Sequence, residues 1–258
     1  MTRWPGSGED GDGLVLCLCL SQARTVDIPM MAKAAGFDAV YVDLEHTATS
    51  LETTAMLCAA SIGFGLVPLV RVPSHDHQYM TRVLDAGAHG VIVPHVDTQE
   101  EAEHAVAVCR FPPIGRRSIA GTNPLTGYRP MPTSEAVAEL NEATIVCVMI
   151  ETPDAVAHAD AIASVPGIDL LLIGTHDLTA EMGILGDFRN DRFLAAVADV
   201  AEACRAHAVM LGIAGIRDEE LLSEFVPLGL RFVSAGTDAG FFFEAASAQV
   251  NRLRKLDG

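Results

Sequence analysis

IVCVMIETPDAVAHADAIASVPGIDLLLIGTHD, residues 145–177, opens and closes on short apolar runs, Ile145–Ile150 and Leu170–Ile173. Each run is too brief for a helix and reads as a buried strand. The Ala-rich stretch between them, 153–164, has helical period, so the whole is a strand, a helix and a second strand parallel to the first. Each strand leads into an acid: Glu151 follows the first and Asp177 lies just beyond the second. The same unit recurs along the chain. Candidate strands are Leu14–Leu20, Ala39–Leu44, Leu66–Val72, Gly90–Pro94, Ile145–Ile150, Leu170–Ile173, Val209–Ile213 and Phe232–Ala235. Helical stretches lie near 26–35, 51–62, 76–86, 98–109, 153–164, 191–207, 217–226 and 239–255. Eight repeats favour a closed (β/α)8 TIM barrel over an open sheet, and a single α/β barrel of this length is ordinary. Residues 1–12 read as a flexible tail and 13–258 as the barrel. The long Pro-, Gly- and Arg-rich interruption from Phe111 to Pro132 is expected on the catalytic face, as a lid or substrate loop.

Composition narrows the partners. Half the residues are hydrophobic and a fifth are charged, which is ample for a large core. A formal charge of -17 with no basic run makes nucleic acid an unfavourable partner and leaves small molecules as the expected ligands. The apolar run at Leu14–Leu20 is too short to span a bilayer and has no cleavage site after it, so a cytoplasmic protein without membrane contact is expected. Six cysteines without a C-x-x-C pair read as buried thiols. No GxGxxG or P-loop follows any strand.

Barrel active sites collect at the C-terminal ends of strands. Strand two ends in Asp43-Leu44-Glu45-His46, strand three in Val70-Arg71, strand five in Ile150-Glu151 and strand six in Gly174-Thr175-His176-Asp177. Glu151 and Asp177 end neighbouring strands and can converge. Two hard oxygen ligands with open positions suit Mg2+ or Mn2+, although either acid could instead cap the helix that follows it. Arg71 needs an anionic partner, which is a substrate carboxylate or an internal salt bridge to Asp43 or Glu45. His46 is the best general acid/base, with Asp43 and Glu45 placed to orient it. His176 has a weaker claim. His75, His77, His89, His95, His104, His158 and His207 form no ligand spacing and read as surface or core residues.

Taken together, Gly36-Phe37-Asp38, Asp43-x-Glu45-His46, Val70-Arg71-Val72, Leu84-Asp85-x-Gly87, Val93-Pro94, Pro112-Pro113-x-Gly115-x-Arg117-Ser118, Ile150-Glu151-Thr152 and Ile173-Gly174-x-x-Asp177-Leu178 resemble the HpcH/HpaI family of class II pyruvate aldolases in order and spacing. The resemblance implies that Glu151 and Asp177 hold a divalent metal (Mg2+, Mn2+ or Co2+). It implies that Arg71 binds the pyruvate moiety and that Gly174, Thr175 and His176 border the substrate. His46 would act on the 4-hydroxyl through water, with Asp85 supplied across a subunit interface as its partner. It further implies a homo-oligomer, a hexamer built from dimers that exchange the eighth helix, here Phe241–Leu256. Two departures fall at the donor pocket: Met149 stands where better-studied members have Gln, and His176 where they have Ala or Ser.

The expected activity is therefore reversible cleavage of a 4-hydroxy-2-oxo acid to pyruvate, or a pyruvate analogue, and an aldehyde. Competing readings are an acyl-CoA lyase of the malyl- or citramalyl-CoA type, a non-catalytic ligand-binding barrel, and a phosphosugar enzyme using Gly215 and Gly236–Gly240. The first needs a basic surface for CoA, for which Arg116, Arg117 and Arg129 are the main candidates. Lys33 and Lys255 are the only lysines, and neither lies at a strand end, which argues against Schiff-base chemistry.

Overall fold

The computed structural model describes residues 13–256, so the proposed tail at 1–12 lies outside the described residues. The chain runs β1 (Val15–Leu20), α1 (Asp27–Ala34), β2 (Ala39–Asp43), α2 (Leu51–Gly63), β3 (Val67–Arg71), α3 (His77–Asp85), β4 (Gly90–Val93), α4 (Gln99–Cys109) and α5 (Thr133–Ala143). It continues through β5 (Ile145–Ile150), α6 (Pro153–Ala157), α7 (Ala159–Ala163), β6 (Leu170–Gly174), α8 (Thr175–Glu181), α9 (Asp191–His207), β7 (Met210–Ala214), α10 (Glu219–Phe225), β8 (Leu230–Thr237) and α11 (Asp238–Arg254). The eight strands close in order into one parallel barrel, β8 returning to β1.

Most strand positions are buried on both faces, Leu16 on β1 being an exposed exception, which is why the strands read as nearly continuous apolar runs. Successive side chains alternate between the barrel lumen and the helix layer. Cys17, Cys19, Tyr41, Leu69, Ile92, Cys147, Met149, Leu172 and Phe232 fill the lumen, while Val40, Val70, Val91, Val148 and Leu171 pack beneath the helices. All six cysteines are buried and unpaired. Burial pushes the thiols of Cys58 and Cys109 up to about 12, which keeps them protonated and unreactive.

The structure departs from the sequence reading in three places. The stretch 153–164 breaks into α6 and α7 at His158. The sequence gives little sign of α5, whose N-cap position is Pro132 with no capping side chain. The lid expected at Phe111–Pro132 is corrected, because the segment follows helix α4 rather than strand β4 and so emerges at the opposite end of the barrel. There Arg117 pairs with Asp85 at the end of α3, Asn123 Nδ2 donates to the Leu84 carbonyl, and Phe111, Leu125 and Leu140 pack with Ile62 at the end of α2.

One carboxylate ties the last strand-to-helix turn to the first. Asp238 opens α11 and accepts hydrogen bonds from Ser21 N (2.9 Å), Ser21 Oγ (2.7 Å) and the backbone amides of Gln22 and Ala23. Burial raises the Asp238 carboxyl, but these donors outweigh it and hold the group below the usual carboxylate range. A depressed carboxylate contributes stability above its unfolded pKa and loses it as pH falls through the folded value. Asp238→Ala is therefore expected to cost about 1–3 kcal/mol at pH 7, measured by urea unfolding. The deficit relative to wild type should shrink as the pH is taken below the ordinary carboxylate range.

Candidate active site

The inward alternation carries on past the strand ends and selects the mouth residues. On β2 the lumen series Ala39, Tyr41 continues to Asp43; on β3 Val67, Leu69 continues to Arg71; on β5 Cys147, Met149 continues to Glu151; on β6 Leu170, Leu172 continues to Gly174. Parallel register sets Asp43 beside Arg71. These residues border or underlie a mouth cavity of about 510 Å³, which is also lined by Tyr41, His46, Thr175, His176 and Asp177.

Arg71 is held by both acids that the sequence offered as partners. Its Nε and Nη2 engage the Asp43 carboxylate at 2.9 and 2.8 Å, and Nη1 lies 3.0 Å from Glu45 Oε2. Burial pushes Asp43 up, but the guanidinium more than offsets this and holds the carboxyl low. Burial likewise opposes the charge on Arg71, and Asp43 reverses the effect, so Arg71 stays charged. Two of its five N–H donors are hydrogen-bonded to Asp43 and Nη1 lies against Glu45 as an ion pair without a hydrogen bond, which leaves donors on Nη1 and Nη2 for a ligand in the cavity.

Asp43 also accepts from the Glu45 and His46 amides, so it shapes the turn that carries His46 and does not contact the imidazole. The His46 ring is 64% exposed, and its Nε2 lies 3.7 Å from Glu45 Oε2. Thr175 is buried and donates from Oγ1 to the Ala214 carbonyl, while His176 meets the edge of Phe188 at 5.3 Å. Asp85 sits at the other end of the barrel, paired with Arg117 at 2.6 Å, and within one chain it does not meet His46.

Glu151 and Asp177 are not helix caps. Thr152 supplies the side-chain cap of α6, and Asp177 makes no hydrogen bond or ion pair with the described residues. The Glu151 side chain is 1% exposed. Burial raises its carboxyl, the His95 amide and ring oppose this, and Asp177 and Glu45 raise it further. Gly174 makes the arrangement possible, because a Cβ there would come within 2.6 Å of Glu151 Oε2. Among the described residues no three His, Cys, Asp or Glu side chains converge on one point. A cation here would take two protein carboxylates and keep its remaining positions for water or substrate, as Mg2+ and Mn2+ do. The buried Glu151, whose only cationic neighbour among the described residues is the His95 ring, and the exposed, unpaired Asp177 are two like charges that fit such an ion.

His95, read from the sequence as surface or core, belongs to this site. It follows Val93-Pro94 at the end of β4 and adopts a left-handed backbone (φ 52°). That turn brings its amide to Glu151 Oε1 at 2.8 Å, and its ring bridges Glu45 (3.0 Å) and Glu151 (3.5 Å). The signal was its strand-end position.

A barrel whose mouth gathers a buried and an exposed carboxylate at the ends of neighbouring strands, an arginine and two histidines has the equipment of a carbon–carbon lyase of the aldolase type. The chain belongs to the HpcH/HpaI aldolase/citrate lyase family, whose model matches residues 17–245. It is 43% identical over 222 residues to a 4-hydroxy-4-methyl-2-oxoglutarate aldolase of Hapsidospora irregularis, covering 84% of this chain and 82% of the relative. It is 34% identical over 232 residues to a 4-hydroxy-2-oxovalerate aldolase of Novosphingobium aromaticivorans, covering 89% and 86%. The solved HpcH/HpaI aldolase of Desulfitobacterium hafniense DCB-2 superposes with a TM-score of 0.90 at 26% identity, covering 95% of this chain and 94% of that one.

Proposed function

We propose that this chain is a divalent-metal-dependent aldolase that cleaves a 4-hydroxy-2-oxo acid to pyruvate, or a pyruvate analogue, and a carbonyl product, and runs the reverse addition. The observation that supports the reading is that Asp177, not used as a helix cap, lines a cavity with Arg71 and His46, while Glu151, also not a cap, lies buried against Gly174 of the same lining. Glu151 and Asp177 would hold Mg2+, Mn2+ or Co2+, which would supply Lewis-acid polarisation of the 2-oxo group. Arg71 directs the N–H donors that Asp43 leaves free at the substrate carboxylate and at the oxygen that becomes the enolate. His46 takes the proton of the 4-hydroxyl, directly or through water. The C3–C4 bond breaks, its electron pair passes to C3 as the enolate, and C4 leaves as a carbonyl. Protonation at C3 gives pyruvate. His95 positions Glu151 and Glu45. Gly174, Thr175 and His176 border the substrate, and the apolar Met149 faces the donor's C3 end. The Hapsidospora relative supports 4-hydroxy-4-methyl-2-oxoglutarate as the first cleavage substrate to try, beside a panel of aldehydes with pyruvate and hydroxypyruvate, with and without metal. Turnover confined to acyl-CoA thioesters would replace this reading with the lyase alternative.

The same reading includes a cytoplasmic homo-oligomer, a hexamer or at least a dimer, in which α11 packs on another copy and Asp85 reaches a neighbour's site. No helix among the described residues is long and apolar enough to cross a membrane. Along the whole of α11 no residue is buried within the chain, and Phe242 and Phe243 are 76% and 71% exposed. An apolar face of that size is stabilised by a partner. Sedimentation should show an oligomer at micromolar concentration. A monomer that persists at all concentrations would sink both the oligomer and the intersubunit role of Asp85.

A further inference from the structure

A second cavity, of about 590 Å³, lies on the outside of the barrel in the groove between α3 and α4, closed by the segment that follows α4. It shares no lining residue with the mouth cavity. In a chain with 34 acidic residues against 17 Lys and Arg, this cavity is lined by Arg82, Arg116, Arg117, His77 and His104, and by no acid. Arg82 and Arg116 make no ion pair with any described residue. Arg117 has a side chain 1% exposed, stacks over the Phe111 ring at 4.6 Å and pairs with Asp85, yet its Nε has no partner. A buried guanidinium donor without an acceptor is costly to keep, and a ligand oxygen is the natural acceptor.

The site is also held in shape. Arg116 N donates to the Ala107 carbonyl (2.7 Å) and Arg117 N to the Arg110 carbonyl (2.9 Å), which pins the cationic segment to the last turn of α4. Gly115 permits this approach, since a Cβ there would overlap the Arg110 carbonyl. His104 is fixed through its ring to the His75 carbonyl (3.1 Å), and the neighbouring acid Asp76 is engaged with His77 (3.6 Å) and caps α3 at the Gln78 amide (2.8 Å). His77 and Arg82 lie five residues apart on α3, about 7.5 Å along its axis, and Arg116 and Arg117 face them from the segment that follows α4.

We propose that this groove is a binding site for a multivalent oxyanion, a phosphoryl group or a polycarboxylate, distinct from the mouth of its own chain and adjoining Asp85 through Arg117. Arg82 and Arg116 supply the open charge, Arg117 Nε a fixed donor and Ser118 a hydroxyl. The test is calorimetric titration of the full chain, freed of divalent metal, with pyrophosphate and with tricarballylate. Saturable binding of either is expected, weakening with added NaCl; the tighter probe identifies the anion as phosphoryl or carboxylate. Arg116→Ala should weaken binding at least about tenfold and Arg82→Ala with Arg116→Ala about a hundredfold, with unchanged melting, because both side chains are exposed. Arg116→Glu gives a second test should the double variant fold poorly. Arg71→Lys should leave this binding unchanged. Three results would overturn the proposal: no saturable binding of either probe, binding lost with Arg71 but kept without Arg82 and Arg116, or a change in oligomeric state in the double variant, which would show these arginines pairing with acids of another copy.

Discussion

Arg71→Lys is expected to fold normally and to lose about 100- to 1000-fold in kcat/KM for cleavage. The guanidinium spends one edge on Asp43 and pairs its charge with Glu45, and still has N–H groups on Nη1 and Nη2 for the substrate. An ammonium at the end of a lysine can satisfy one carboxylate but cannot grip Asp43 through two parallel bonds and point at the enolate as well. The loss should appear in kcat, because the interaction strengthens as negative charge develops on the oxygen. Near-normal turnover would remove Arg71 from the chemistry and leave it as the clamp that fixes Asp43.

Glu151→Gln is expected to lose about a thousandfold or more, since a Lewis acid supplies several kcal/mol of charge stabilisation and each 1.36 kcal/mol is a factor of ten. Stability should move the other way. Burial and the charges of Asp177 and Glu45 disfavour the ionised form of Glu151, with the His95 amide and ring as its main compensation. An uncharged isostere relieves that repulsion, so in metal-free solution the variant should melt at or above the wild-type temperature. Mn2+ should raise the melting temperature of the wild type and leave that of Glu151→Gln nearly unchanged. Destabilisation of the variant with an undiminished response to Mn2+ would show that Glu151 is structural.

Much of this site was legible because period-two alternation does not stop where hydrogen-bonded pairing stops. Asp43, Arg71 and Glu151 continue lumen series on three strands, and an apolar run that meets a charge at an inward position can be read from sequence alone. Asp177 is different: it lies in the first turn of α8, and its convergence with Glu151 follows from β5 and β6 being neighbours. His95 was legible by position but not by orientation. Its reach to Glu151 and Glu45 depends on a left-handed backbone at a residue other than glycine, which no local pattern announces. The Phe111–Pro132 segment was misplaced for a topological reason. A chain leaving strand β4 is at the catalytic face, but by Phe111 it has traversed α4 and stands at the other end. Arg71 makes the internal salt bridge that the sequence offered and still lines the cavity, so that pairing does not withdraw it from the mouth.

Deuterium exchange at C3 of pyruvate, followed without any acceptor aldehyde, tests the central claim most directly, because it reports enolate formation at the mouth and nothing else. The account predicts that chelation abolishes exchange and that Mg2+, Mn2+ or Co2+ restores it. It also predicts that borohydride with pyruvate traps no adduct, since Lys33 and Lys255 are both exposed and neither lines the mouth. Exchange that persists undiminished after exhaustive chelation, or a pyruvate adduct on Lys33 or Lys255, would contradict it.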